Sequence, residues 1–270
     1  MRGTSSTSFA EVLRQAEAAP AADAVPETEA EELFSVADAI DSSNQLVRML
    51  SDAGRPAAVK EAAVRSLFEG RVGPRTLELA LEVVRRRWSE QEDILDALEL
   101  LGVSTLLDLA LREGVLEQIE GELFQVSRLI DGSGDLTSAL DGARDEPARR
   151  AVLLRRLLEG RVHSLTVILA ARAVGRRSEL KPARRVEEFA RFAADRRRRA
   201  FAEVASAVPL NESQQARLSA VLAGIYGREV QLNLQVDPEV VGGLRIQVGD
   251  DLYDATVLAR LSRARSSLVA

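Results

Sequence analysis

The sequence predicts a mainly α protein: a duplicated antiparallel helical bundle followed by a small α+β C-terminal domain. Three observations carry that prediction. Ala, Leu, Arg and Glu dominate the 270 residues while aromatics make up only 4%, and these four residue types lose little freedom on entering a helix. Residues 31–87 laid over 121–177, at a constant offset of 90 with no gap, are identical at 23 of 57 positions, where chance gives roughly 5 for such a composition. Beyond residue 229 the apolar period changes from helical to alternating, and glycine-bearing turns appear.

Composition also removes whole classes of function. With no cysteine, disulfides, thiolate metal sites and cysteine nucleophiles are excluded. A single histidine, His163, rules out histidine-rich metal centres and leaves little acid–base chemistry near neutral pH. No segment reaches the roughly 18 apolar residues of a membrane span; the nearest, Leu100–Leu111, is interrupted by Asp108. The N-terminus has one Arg and no apolar core, so it does not read as a secretory signal. A membrane location would therefore come through a partner.

Along the chain, residues 1–30 are rich in Ala, Pro, Glu and Ser. Phe9–Ala19 is expected to form a first helix, and Pro20–Thr28 a flexible linker. Residues 31–103 are the first copy of the helical module. Within it Glu32-Leu33-Phe34 matches Glu122-Leu123-Phe124, Ile40-Asp41 matches Ile130-Asp131, Leu46 and Leu50 match Leu136 and Leu140, and Glu69-Gly70-Arg71-Val72 matches Glu159-Gly160-Arg161-Val162. Leu77, Ala80, Leu81 and Val84 form an i, i+3, i+4, i+7 stripe, repeated by Val167, Ala170, Ala171 and Val174; that spacing is one buried helix face. Gly70 and Gly160 follow helical runs where a left-handed residue is wanted, and Pro56 and Pro74 fit first turns. Residues 89–115 bridge the copies as the last helix of one and the opening helix of the next, with the boundary placed at 103/104.

Residues 104–202 are read as a six-helix-bundle-like domain, closing with the charged helix Glu179–Ala202. In 203–270, Asn211 and Gln214 have the spacing of a reciprocal helix cap. Glu229–Val236 alternates as a strand, Asp237-Pro238 and Gly242-Gly243 bracket a turn, and Leu244–Val248 is a second strand. Gly249-Asp250 suits a two-residue hairpin loop, and Thr256–Leu268 a terminal helix with Val257, Leu258, Leu261 and Leu268 as its apolar residues.

Charge is unevenly spread. Residues 172–199 hold eleven Arg/Lys against four Asp/Glu, and 90–122 hold ten acidic residues against Arg112 alone. These segments could pair within the bundle or steer a partner. The run Arg196–Arg199 also admits an alternative reading, a nucleic-acid-binding protein using helix 184–199, since phosphates reward clustered Arg. Its only aromatics, Phe189 and Phe192, have core spacing rather than that of stacking platforms. Asp250, Asp251 and Asp254 lack calcium-loop spacing, no phosphate-binding glycine motif occurs, and no catalytic, cofactor or metal site is assigned. Trp88 is expected to anchor packing between the copies.

The C-terminal third carries a resemblance. Val204, Ser206-Ala207 and Pro209-Leu210, followed by Asp237, Pro238, Gly242, Gly243, Gly249, Asp254 and Leu261, in this order and spacing resemble the delta subunit of rotary F-type ATP synthases, the oligomycin-sensitivity-conferring protein of mitochondria. Thr256 stands where that family usually has serine, and residues 1–100 have no counterpart in its usual form. The resemblance implies a six-helix bundle plus a smaller C-terminal domain, without catalytic residues or cofactors. It implies a stator whose bundle receives the N-terminal helices of the alpha subunits and whose C-terminal domain grips the C-terminal helix of the b subunit. It places the chain at the cytoplasmic face of a bacterial cell membrane, reached only through the complex, and expects no nucleic acid.

Overall fold

The computed structural model describes residues 1–270 except 2, 19–24, 143–145, 178–179, 227–229, 238–239, 241, 250 and 255–270. Two compact units result, Met1–Ala193 and Ala194–Ala270. The first contains α1 (Thr4–Ala18), α2 (Pro26–Asp41), α3 (Asn44–Ser51), α4 (Ala57–Phe68), α5 (Pro74–Arg85), α6 (Asp93–Arg112), α7 (Leu116–Gly132), α8 (Gly134–Gly142), α9 (Pro147–Leu158), α10 (Ser164–Val174) and most of α11 (Pro182–Ala200). The starts of α2, α4 and α5 recur 90 residues later as the starts of α7, α9 and α10. The joints recur too. Ser43 and Ser133 each accept from a backbone N–H three residues on, both at 3.3 Å. Gly70 and Gly160 have φ of 73° and 71°, the left-handed turn that ends α4 and α9 at little cost only with glycine.

The equivalence extends past the identical residues. Shifted by 90, α1 falls on α6, and α6 falls on α11. One helix therefore closes the first bundle and opens the second, and the expected boundary at 103/104 lies inside it. What changes there is the core. Ile94, Leu95, Ala97, Leu98 and Leu101 pack with Leu33, Val36 and Ile40 of α2 and with the apolar face of α5. Val103, Leu106, Leu107 and Ala110 pack with α7, α9, α10 and α11. Ala30 and Phe34, from α2, belong to this second core, so the first copy supplies part of the interior of the second. At the crossover sits Gly102: a Cβ there would meet Phe34 Cε1 at 2.5 Å and the Ala30 carbonyl at 3.1 Å.

Three expectations for this unit change. The first helix starts at Thr4, and α2 starts at Pro26 in its first turn, so the later part of the expected linker Pro20–Thr28 is helical. Pro56 is the residue before α4 rather than within its first turn. Trp88 packs inside the first copy's core and donates its indole N–H to the Val83 carbonyl at 2.9 Å; it does not anchor one copy to the other.

The second unit begins within α11, before the expected boundary at 202/203. It holds β1 (Phe201–Ser206), α12 (Glu212–Tyr226), β2 (Gln231–Val236), β3 (Leu244–Val248) and β4 (Asp251–Asp254) in a sheet of order β2-β1-β3-β4. β1 was not expected: Phe-Ala-Glu-Val-Ala-Ser is short, continues directly from α11 and is full of helix formers, yet every second residue is buried. It lies between β2, to which it is parallel, and β3, to which it is antiparallel. The two strands read from the sequence thus never pair with each other. β3 and β4 do form a hairpin, with Val248 opposite Asp251, as the Gly249-Asp250 loop requires. The cap of α12 is as expected: Asn211 Oδ1 accepts from Gln214 N, and Gln214 Oε1 from Asn211 N, both at 2.9 Å. The expected helix Thr256–Leu268 lies outside the described residues.

Candidate functional site

One cluster of buried charged groups lies where the copies meet. Glu99 of α6 is 1% exposed. Its carboxylate accepts from Arg172 Nε at 2.9 Å, Arg176 Nη1 at 3.0 Å and Arg185 Nη2. Arg176 also reaches Asp96 at 2.6 Å, and Arg172 reaches Asp38 of α2 at 2.8 Å while lying 4.8 Å over the Phe34 ring. Burial favours the neutral form of Arg176, but Glu99 and Asp96 overcome it and hold its pKa above the ordinary guanidinium range. The acidic segment 90–122 and the basic segment 172–199 therefore pair inside the molecule. Removing one member of such a cluster strands a buried charge and costs far more than an exposed pair. Glu99 joins three helices, and through Arg172 a fourth, from the first copy.

A second polar device occurs once per copy. Glu32 Oε2 accepts from Gly73 N at 2.9 Å and Thr76 Oγ1 at 2.5 Å. Glu122 Oε2 accepts from His163 N at 2.9 Å and Thr166 Oγ1 at 2.6 Å. In each case a carboxylate from the second helix of the copy satisfies the start of its fifth helix, where free N–H groups and the helix dipole welcome a negative charge. Burial alone would raise the pKa of Glu122; its bonds from Thr166, Gln118 and the His163 N–H outweigh that and lower it. His163 is thus a joint residue, with Nδ1 accepting from Leu165 N at 3.2 Å. The identity of Glu32 with Glu122 and of Thr76 with Thr166 was visible in the repeat; that they touch was not.

On α11 the exposed Arg184 and Arg191 both pair with Glu187, at 2.8 and 2.6 Å. Arg185 and Arg196 are buried, and exposed Arg198 lies 3.7 Å from Asp195. A surface suited to a partner mixes apolar side chains with polar ones such as Asn44, Gln45 and Asp52. An open cleft of about 1010 Å³ lies between the end of α2, α3 and α4, lined by Leu46, Met49, Leu67, Arg48 and Arg55. Its counterparts in the second copy include exposed Leu129 and half-buried Leu136 and Leu157.

In the sheet unit several of the signature residues lie at one end. Ser206 ends β1, its carbonyl accepting from Asp237 N at 2.9 Å and its hydroxyl bonding the Val208 carbonyl at 2.7 Å. Gly242 and Gly243, with φ of 68° and 85°, turn the chain into β3 beside it, and Asp254 stands opposite Arg245 at the same end. Gly249 turns the chain at the other end. Val204 is core, Leu210 packs against that core, Ala207 is half-buried and Pro209 is exposed. Pro238 and Leu261 lie outside the described residues. These positions shape turns and core; among the described residues none assembles a catalytic group.

A family model described as ATP synthase delta (OSCP) subunit matches residues 103–268. Proteins named ATP synthase subunit delta are similar over longer spans. That of Beutenbergia cavernae is 41% identical over 239 residues, 88% of each chain. That of Kineococcus radiotolerans is 41% identical over 238 residues, 88% of this chain and 86% of the relative. That of Thermobifida fusca is 39% identical over 272 residues, 99% of each. The last alignment takes in the first copy, so the long form is shared with relatives and not peculiar to this chain. The chain belongs to the ATP synthase delta (OSCP) subunit family.

Proposed function

We propose that this chain ties the catalytic head of a proton-translocating F-type ATP synthase to the stalk formed by its b subunit and resists rotor torque during ATP synthesis. As a delta (OSCP) subunit it is a non-catalytic component of the peripheral stalk. The observation that carries the proposal is the family match over 103–268, which spans both the second bundle and the sheet unit. In this reading the helical bundle takes N-terminal helices of the alpha subunits, and the C-terminal domain, 203–270, takes the C-terminal helix of b.

The geometry supports helix-in-groove recognition. A face of α6 and Arg172 of α10 are already covered by α2. A partner helix on the bundle therefore has the α2–α3–α4 cleft and its α7–α8–α9 counterpart, where Leu67 and Leu129 remain exposed. A joint under torque needs slow dissociation more than fast encounter, which apolar burial provides. Among the described residues no helix is long and apolar enough to cross a membrane. Attachment is peripheral, through the complex, at the cytoplasmic face of the bacterial cell membrane.

The test is capture of synthetic alpha N-terminal segments and soluble b by the purified full chain at low and high salt. Both are expected to bind, and Leu67→Asp with Leu129→Asp should weaken the alpha segment at least about tenfold while leaving b unaffected. Failure of both partners, with nucleic acid bound at low salt and lost at high salt, would overturn the proposal in favour of helix 184–199.

A further inference from the structure

The two edges of the sheet are built differently. β4 is four residues long and carries Asp251 and Asp254 at its ends, and short charged edges discourage pairing with another chain. β2 is six residues, Gln231-Leu232-Asn233-Leu234-Gln235-Val236, with no charge, proline or glycine to protect it. It pairs only with β1 among the described residues, so a row of N–H and C=O groups along its outer side faces away from the sheet. Such a row is best satisfied by one kind of ligand, an extended polypeptide.

Side chains beside that edge are apolar. Leu234 and Val236 are in register with Val204 and Ser206 of β1, on the face that α12 covers, yet they remain 37% and 55% exposed. α12 is anchored to that face by Leu222, with Leu218 and Tyr226 packed alongside. The Tyr226 hydroxyl reaches Asp251 at 3.0 Å and Tyr253 at 3.4 Å, both on β4. At 3.6 residues per turn, Val221 and Ile225 lie on the opposite flank of Leu222 from Tyr226, toward β2. They are 52% and 54% exposed. An open edge and an apolar shelf thus adjoin each other.

We infer that β2 is a strand-addition site for an extended segment of the stalk chain flanking its C-terminal helix, uncharged along the edge and with apolar side chains at alternate positions. Its backbone pairs with β2, and every second side chain covers Leu234, Val236, Val221 and Ile225. The inference rests on the reading that this unit holds the stalk and adds the mode of holding: backbone ladder bonds, whose breaking requires a whole strand to peel. That suits a joint under load better than side-chain contacts alone.

The test is amide hydrogen exchange on the full chain, alone and with the soluble b protein. Free exchange of those amides within 231–236 that point away from β1, slowed at least about tenfold by b, is the expected result for the isolated chain and the complex. Leu234→Lys with Val236→Lys should weaken b binding at least about tenfold, while Leu252→Lys on β4 leaves it unchanged. If b binds without protecting 231–236 and the double variant binds normally, strand addition falls and the stalk reading stands. If b does not bind at all, the stalk reading fails first. Protection of the outward-pointing amides already present without b overturns the proposal: at all concentrations it assigns the edge to the chain's own residues, and if it grows with concentration, to a second copy.

Discussion

Glu99 shows how much one side chain can organise. Its carboxylate is the shared acceptor of Arg172, Arg176 and Arg185 in a site almost closed to water. Replacing it by Gln leaves three buried guanidinium groups short of a counter-charge, and we expect a loss of about 3–5 kcal/mol in urea unfolding. The exposed pair Arg149–Glu146, at 2.6 Å, is the control, with Glu146→Gln costing under about 1 kcal/mol. Glu122 gives a pH prediction with a definite sign. Its folded pKa lies below the ordinary carboxylate value of 4.5, so its contribution is complete above that value and is lost as pH falls through the lowered one. Wild type should exceed Glu122→Gln in stability at neutral pH. The gap, followed by denaturant titration at a series of pH values, should shrink below pH 4.5. Both residues stood in segments whose charge or repetition was apparent, but only packing reveals that Glu99 is buried while Glu92, seven residues earlier, is exposed.

At the scale of elements, α6 is the decisive piece. Its first half is buried in one core and its second half in the other, which is why its apolar residues run round the whole helix instead of forming one stripe. The bridging of the copies by 89–115 was legible, but not that a single helix does it: a helix buried on all sides has no periodicity to say which neighbour it serves. Gly102 is where α2 crosses it closely. Gly102→Ala should place a methyl against Phe34 and the Ala30 carbonyl and lower stability by about 1–3 kcal/mol, despite the better helix propensity of Ala. A thermal melt checks this; an unchanged or raised midpoint would mean that α2 gives way easily. By contrast, the cap at Asn211 and the turns at Gly70 and Gly160 depend on neighbours within a few residues, so they could be read directly.

At the scale of the molecule, the extra copy is part of the second bundle's interior rather than a module appended to it. Deleting residues 1–92 should remove Ala30 and Phe34 from the second core, expose Ile94, Leu95, Leu98 and Leu101, and leave Glu99 without its cover. We expect 93–270 to aggregate or to lose helicity, read by gel filtration and circular dichroism; a monomeric, fully helical fragment would show the copies to be separable. The duplication, the helical class, the turns and the family resemblance were determined by the sequence alone, because each rests on spacing, composition or the order of a few residues. Only the tertiary structure decided that one helix serves two bundles, that Glu99 gathers three arginines, and that β1 separates the two strands the alternation had revealed. The reason is physical: a helix stripe or a cap is fixed by residues one turn away, whereas a shared helix, a buried ion cluster and strand order depend on which distant surfaces exclude water from each other.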